Sequence, residues 1–238
     1  MNETRSPKLF IGTGLVFGVG SMLCNILGFS TPYWLQVWPR VGDTSFKNLG
    51  LWQVCIAGFR NPKDLWGKVY YGCWWIFARE YDRLRQDDIL LPPWFQAVQT
   101  MATFSFIINC IMIIFLIVVV TTNFRASVKC LVTTATLGAL TCFFSLIAVI
   151  IFGVATDTYR PLDKQTGLGL DIFSDRGKWM PRPEYTFLSW SYICEVFCAI
   201  FALVSSVILF FESHFIRKAK ILYEKQSLRT SVKSMSQI

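Results

Sequence analysis

Two cysteines in a polar loop have the type and spacing to do covalent chemistry. Cys55 and Cys73 have 17 residues between them, in a loop that separates two long apolar stretches, whereas the other six cysteines fall inside or at the edge of such stretches. A thiol among hydrocarbon side chains behaves as a small apolar group. In an oxidising compartment the loop pair would join as a disulfide, which would stabilise the fold by about 3 kcal/mol.

The remaining polar residues form no catalytic or metal-binding pattern. The single histidine, His214, lies at the end of an apolar stretch, and the sequence has no phosphate-binding loop, no His/Cys metal spacing and no paired carboxylates within an apolar stretch. The adjacent Asp87 and Asp88 are typical of a solvated face. We therefore expect no enzymatic activity, no cofactor and no metal ion.

The loop that contains Cys55 and Cys73 connects the first two of four apolar stretches. Each of the four is long enough to cross a bilayer. The chain of 238 residues is 53% hydrophobic, too apolar for an ordinary soluble domain, and a spanning helix needs about 20 residues. Glu195 is the only acidic residue inside these stretches. They cover roughly Leu9–Phe29, Val98–Thr121, Val128–Val154 and Phe187–Phe211.

The distribution of Lys and Arg predicts that both termini are cytoplasmic. The terminal and middle segments together carry ten basic and three acidic residues, whereas the loop of residues 36–97 carries eight and six, and the loop of residues 155–186 five of each. A basic excess marks the cytoplasmic side, so the net charge of +8 reflects topology and does not indicate nucleic-acid binding. The first apolar stretch exceeds the apolar core of a signal peptide, so we expect it to be retained.

The predicted organisation is a multi-pass membrane protein with the Cys55/Cys73 loop outside. Its segments are a cytoplasmic N-terminus (1–8), a first span (9–32), a first extracellular loop with a β-sheet and the disulfide (33–97), a second span (98–121), a cytoplasmic loop (122–128), a third span (129–154), a second extracellular loop (155–186), a fourth span (187–211) and a cytoplasmic tail (212–238).

Alternating and aromatic residues predict short β-strands in the extracellular loops. The predicted strands cover Tyr33–Trp38, Gly50–Ile56, Lys68–Ile76 and, in the second loop, Leu168–Phe173. A disulfide between Cys55 and Cys73 would then staple neighbouring strands. The mixed charge of Arg79–Asp88 indicates a short exposed helix.

Small residues within the spans predict close helix packing. Gly14 and Gly18 form a G-x-x-x-G pattern, for which we favour packing within the bundle over a dimer face. Glu195, Cys198 and Ala202 share one helical face of the fourth span, so Glu195 should point inward. Asn25 and Asn109 are its candidate partners. We favour a hydrogen-bonded packing role for Glu195 over an ion path, because no second ionisable group lies within the spans.

The chain combines four predicted spans with a large first loop. That loop carries the motif Trp34…Gly50-Leu51-Trp52-x-x-Cys55…Cys73. In this the chain resembles the claudin and peripheral-myelin-protein superfamily. The resemblance implies a mainly α fold, a left-handed bundle of four transmembrane helices with a small extracellular antiparallel β-sheet built from both outer loops. The long spacing between Cys55 and Cys73, with Cys73-Trp74-Trp75-x-Phe77 and the charged segment after it, is most similar to divergent insect claudin-like proteins of septate junctions, of the Pasiflora type.

The resemblance implies a structural role at cell–cell junctions. On this reading the protein lies in the lateral plasma membrane of epithelial or glial cells, contacts other junction proteins in cis and in trans, and contributes to junction assembly and the paracellular barrier. The alternatives are an auxiliary ion-channel subunit, as in the calcium-channel gamma subunits, or a paracellular pore former. The partners are then the lipid bilayer and other membrane proteins, without nucleic acid.

Two further hypotheses concern tryptophans and the tail. Trp34 and Trp52 are expected either at the boundary between sheet and membrane or as core residues beneath the sheet. The tail is expected to be disordered after Lys225. Its end, Ser236-Gln237-Ile238, matches a ligand for a PDZ scaffold. The basic residues Arg217, Lys218 and Lys220 are expected to draw the tail to anionic lipid, and the two interactions are compatible.

Overall fold

Four long helices dominate the structure. The computed structural model describes residues 7–40, 45–60, 67–86, 90–121, 128–157 and 186–235. The long helices are α1 (Pro7–Ser30), α3 (Pro93–Thr121), α4 (Val128–Asp157) and α5 (Trp190–Met235). Each contains a stretch that is long and apolar enough to cross a membrane, namely Ile11–Ser30, Pro93–Thr121, Val128–Thr156 and Trp190–Arg229.

A five-stranded antiparallel sheet covers the end of the bundle where α1 ends and α5 begins. Its strands are β1 (Leu35–Val37), β2 (Phe46–Leu49), β3 (Gln53–Arg60), β4 (Val69–Trp75) and β5 (Thr186–Leu188). Their order across the sheet is β4-β3-β2-β1-β5, so the segment just before α5 pairs with the strand just after α1. A 3-10 turn (Arg79–Tyr81) and the short helix α2 (Asp82–Gln86) lead from β4 toward α3.

Two large apolar regions fill much of the described interior. The larger one lies between the sheet and the helix ends and includes Trp34, Leu51, Phe95 and Phe152. The second, which includes Met112, Leu116, Leu131 and Leu209, fills the bundle farther from the sheet. Outward-facing apolar side chains on all four helices remain exposed, as expected of helices that face hydrocarbon. The mainly α fold with a small antiparallel sheet confirms the predicted fold class.

The predicted strands around the disulfide are present, with shifted boundaries, as is the short helical segment after β4. Two strands were not predicted. β2 was missed, and β5 occupies the start of the predicted fourth span, so that helix α5 begins only at Trp190. The predicted disorder after Lys225 was wrong, since α5 continues to Met235. The predicted strand Leu168–Phe173 lies outside the described residues.

Candidate functional site: a stapled sheet above a polar bundle core

The disulfide joins two neighbouring strands, as predicted. Cys55 on β3 and Cys73 on β4 are paired in register, and their sulfur atoms are bonded. The cross-link therefore fixes the β3–β4 pairing, which is the longest in the sheet. Burial differs between the two residues, with Cys55 buried and Cys73 exposed. The staple is consequently part of the outward-facing surface of the sheet.

Gly50 is required by the close approach of two backbone segments. A Cβ built at this position would overlap the Cα of Pro32 and lie 2.6 Å from the carbonyl oxygen of Thr31. Both neighbours are backbone atoms of the segment that follows α1, so no side-chain rotation could relieve the overlap. The glycine thus allows the turn between β2 and β3 to lie directly on the end of the first helix.

Leu51 attaches the same turn to the third helix. Its side chain is fully buried, and its carbonyl oxygen accepts a hydrogen bond of 2.6 Å from Nε2 of Gln99 on α3. Trp52, which is partly buried, packs on Phe29 of α1 with ring centroids 5.2 Å apart. Sequence reasoning missed Gln99, although an amide in an otherwise apolar stretch is a signal for a buried polar contact.

Trp34 fills the space beneath the sheet. Its side chain is fully buried, and its Nε1 donates a hydrogen bond of 2.6 Å to the carbonyl oxygen of Gly28. Its ring packs edge-on against Phe152 of α4 and Tyr192 of α5, at centroid distances of 4.9 and 5.7 Å. For Trp34 the core interpretation therefore fits better than the boundary interpretation. The motif residues together attach the stapled sheet to all four helices.

The outward surface of the sheet presents aromatic side chains on β4 and just beyond it. Tyr71 and Trp75 are 66% and 59% exposed, and Trp74 and Phe77 are also exposed. The pairing of β3 with β4 shifts register at Gly58, which has a positive φ, whereas Gly72, also with a positive φ, pairs in register with Ile56. A large exposed aromatic surface on a cross-linked scaffold is typical of an interaction site.

The segment after β4 is fixed beneath this surface. Lys68 forms a salt bridge of 2.9 Å with Glu80, and Arg85 pairs with Asp82 within the α2 turn. Tyr81 is fully buried, and burial, followed by the nearby Glu80, raises the pKa of Tyr81 to about 12. Its phenol is therefore neutral at physiological pH.

A buried polar cluster connects the four helices below the sheet. Asn25 on α1 donates to Ser105 Oγ (3.2 Å) on α3 and contacts Cys198 Sγ (3.1 Å) on α5. Ser105 Oγ lies 2.7 Å from Ser145 Oγ on α4. On the other side of Cys198, Asn109 donates to Ser21 Oγ (3.3 Å). Each of these side chains is fully buried, so every helix contributes to one hydrogen-bonded network.

Glu195 belongs to this network through a partner that was not predicted. Ser145 Oγ donates to its Oε1 over 2.6 Å, whereas the predicted partners Asn25 and Asn109 form hydrogen bonds to other members of the cluster. Its second oxygen faces Gly28, where an added Cβ would lie 2.8 Å from Oε2. The acid thus points inward and is hydrogen-bonded, which is the packing arrangement that membrane burial requires.

The other predicted packing residues lie at helix contacts inside the bundle. A Cβ at Gly14 would meet Leu209 of α5 at 3.0 Å, and one at Gly18 would meet Leu116 of α3 at 2.5 Å. Cys198 and Ala202 are fully buried on α5. In the described part of the chain, both glycines therefore face other helices of the same molecule.

Two further expectations concern metal ions and the chain end. Among the described residues, His, Cys, Asp and Glu side chains form no group of three or more that could hold a metal ion. The proposed PDZ ligand, Ser236-Gln237-Ile238, lies outside the described residues.

Sequence comparison assigns the fold to a known family. Residues 19–211 match the family described as PMP-22/EMP/MP20/Claudin tight junction, a range that begins within α1 and ends within α5. No curated protein matches the chain as a whole or in part. The matched range contains all five strands, the disulfide and the polar cluster, and the chain therefore belongs to the PMP-22/EMP/MP20/claudin family.

Proposed function

We propose that the protein is a structural component of cell–cell junctions of the septate type, where it contributes to junction assembly and the paracellular barrier. In this proposal it resides in the lateral plasma membrane, with the stapled sheet in the extracellular space and both termini in the cytoplasm. Other junction proteins would be its partners, in cis within the membrane and in trans across the intercellular space.

Charge and redox chemistry support this orientation. The segments before α1, between α3 and α4 and at the end of α5 carry the basic excess, which marks the cytoplasmic side. A disulfide persists in the extracellular compartment and is rare in the cytosol. Both arguments lead to the same placement of the sheet, although they use different residues.

The observation that carries the proposal is the exposed aromatic surface on a rigid sheet. Tyr71 and Trp75 project from β4 on either side of the disulfide, so their positions are fixed by covalent and strand-pairing constraints. Little conformational freedom would be lost when such a surface binds a neighbouring protein. Aromatic side chains in this arrangement are frequent among residues that dominate binding energy.

Barrier rescue in an epithelium tests the proposal. Depletion of the protein should increase the paracellular passage of a fluorescent dextran, and re-expression of the wild type should restore the barrier. Tyr71→Gln and Trp75→Gln should reach the surface, because exposed substitutions usually change stability by less than about 0.5 kcal/mol, yet should fail to rescue. Tyr223→Gln, at a 74% exposed site on the far end of α5, is the matched control.

The same experiment separates the junction role from that of a channel subunit. Immunostaining should place the wild type in a continuous lateral belt. Full rescue by both β4 variants would reject the aromatic surface as the contact. Absence from lateral contacts, with co-purification of an ion channel, would reject the junction role and support an auxiliary subunit.

A further inference from the structure

Helix α5 extends well beyond the part of the bundle that packs. The last residues of α5 that are buried against the bundle are Glu212 and Ser213, Ile216 is half-buried, and every side chain from Arg217 to Arg229 is exposed in the described structure. The helix nevertheless runs without interruption to Met235. Residues 217–235 thus form a projection about 28 Å long. A helical segment of this length gains little stability on its own and is usually stabilised by packing against a partner.

Two separate apolar stripes run along this projection. Phe215 and Leu222 are seven residues apart, as are Ile221 and Leu228, so each pair shares one face. Their exposed fractions are 45%, 56%, 46% and 66%. At 100° per residue, the two stripes are separated by about 120° around the helix.

Basic residues occupy the arc between the stripes. Lys218, Lys225 and Arg229 all lie within that arc on the helical projection. Residues 215–229 as a whole contain five basic residues and one acidic residue, Glu224. The projection therefore combines two apolar stripes with strong positive charge.

This pattern does not suit a membrane surface. A helix lying in the interface buries a single apolar face and keeps its basic residues on the polar face. Burying both stripes here would carry Lys218, Lys225 and Arg229 into the hydrocarbon. The unbroken continuation of α5 from its spanning segment also directs the helix away from the bilayer.

A second copy of the chain fits no better. Pairing two such helices along Ile221 and Leu228 would place Lys218 and Lys225 at the flanking core positions of the seam. Charged side chains there cost stability, and the like charges of the two copies would repel one another. A partner that encloses the helix and carries negative charge would bury both apolar stripes and pair with the basic residues between them.

We propose that residues 215–229 are a docking helix for an acidic, helix-enclosing protein of the Ca²⁺-activated EF-hand class. Such proteins open apolar, Met-lined grooves when they bind Ca²⁺, and flexible Met side chains adapt to varied apolar anchors. Two grooves would take the two stripes, and the acidic rims would face the basic arc. In a cell the proposal rests on the cytoplasmic orientation given above, but binding by the purified protein does not.

Calorimetry on the full chain tests this docking helix. The purified protein in nanodiscs of neutral lipid, open at both faces, would be titrated with calmodulin in Ca²⁺ and again after chelation. We expect Ca²⁺-dependent binding with one calmodulin per chain. Leu222→Gln and Leu228→Gln should each weaken binding at least tenfold, because each replaces an apolar side chain that binding would bury. Tyr223→Gln, outside both stripes, should weaken it less than threefold.

Three outcomes would overturn the proposal. The first is no binding, or binding that persists unchanged after chelation. The second is an equal effect of Leu222→Gln and Tyr223→Gln. The third is association of the tail with nanodiscs containing anionic lipid, or self-association of the chain, without a Ca²⁺-dependent partner. None of these would affect the barrier assay, which depends on β4, so the two proposals fail separately.

Discussion

Replacing Gly50 by alanine tests whether the family motif attaches the sheet to the bundle. The new Cβ would overlap Pro32 Cα and lie 2.6 Å from Thr31 O, and neither backbone atom can rotate away. Overpacking costs about 1–3 kcal/mol, and we expect the upper end here because the obstructing atoms are all backbone. For a chain of this size, about 3 kcal/mol corresponds to a fall in the unfolding temperature of about 6–12 °C.

Thermal unfolding of the purified protein in detergent measures this fall, and surface biotinylation reports its cellular consequence. Gly12→Ala is the matched control, because a Cβ at Gly12 has no neighbouring atom within 4 Å, so its unfolding temperature should be unchanged or slightly raised. An unfolding temperature for Gly50→Ala within about 1 °C of the wild type would show that the motif glycine does not hold the turn against the first helix.

Three further substitutions test the staple, the buried tryptophan and the interior acid. Cys55→Ser should destabilise the protein by about 3 kcal/mol, and mass spectrometry of non-reduced peptides should show the cross-link in the wild type; free thiols there would refute the pairing. Trp34→Phe leaves the Gly28 carbonyl without its donor and should cost about 1–3 kcal/mol by thermal unfolding; an unchanged midpoint would contradict the role of this bond. Glu195→Gln keeps an acceptor for Ser145 and should preserve surface expression, whereas Glu195→Leu removes it and should lower expression; equal expression would argue against the hydrogen-bonded role.

The spans and the disulfide could be predicted because each depends on a strong local signal. A bilayer-length apolar stretch has few structural alternatives, and Cys55 and Cys73 were the two loop cysteines. β2 was missed because Lys47 and Asn48 interrupt its apolar pattern. Asn48 is buried all the same, because its side chain donates to Pro32 O over 2.8 Å, a contact that depends on the folded end of α1.

Other errors arose where two sequence signals competed. Phe187 and Leu188 extend the apolar run of the fourth span, but pairing with β1 draws them into the sheet instead. The tail has a charged composition, which favours disorder. It is also rich in Lys, Glu, Gln, Leu and Arg, which favour helix, and it contains no Gly or Pro. The hydrogen bond of Glu195 to Ser145 required knowledge of which helices are neighbours.

The pairing of β1 with β5 has a consequence for how the protein matures during synthesis. Ser189, immediately after β5, donates to the side chain of Gln36, a residue 153 positions earlier, and its amide donates to Trp34 O. Loop closure over such a distance is slow, and the last strand emerges from the ribosome only after three spans. In the orientation proposed above, β1 would until then have an unpaired edge in the lumen of the secretory pathway, a feature that promotes aggregation. The described sheet is therefore completed only by residues that are synthesised after α4, so its first strand depends on one of the last segments of the chain to be made.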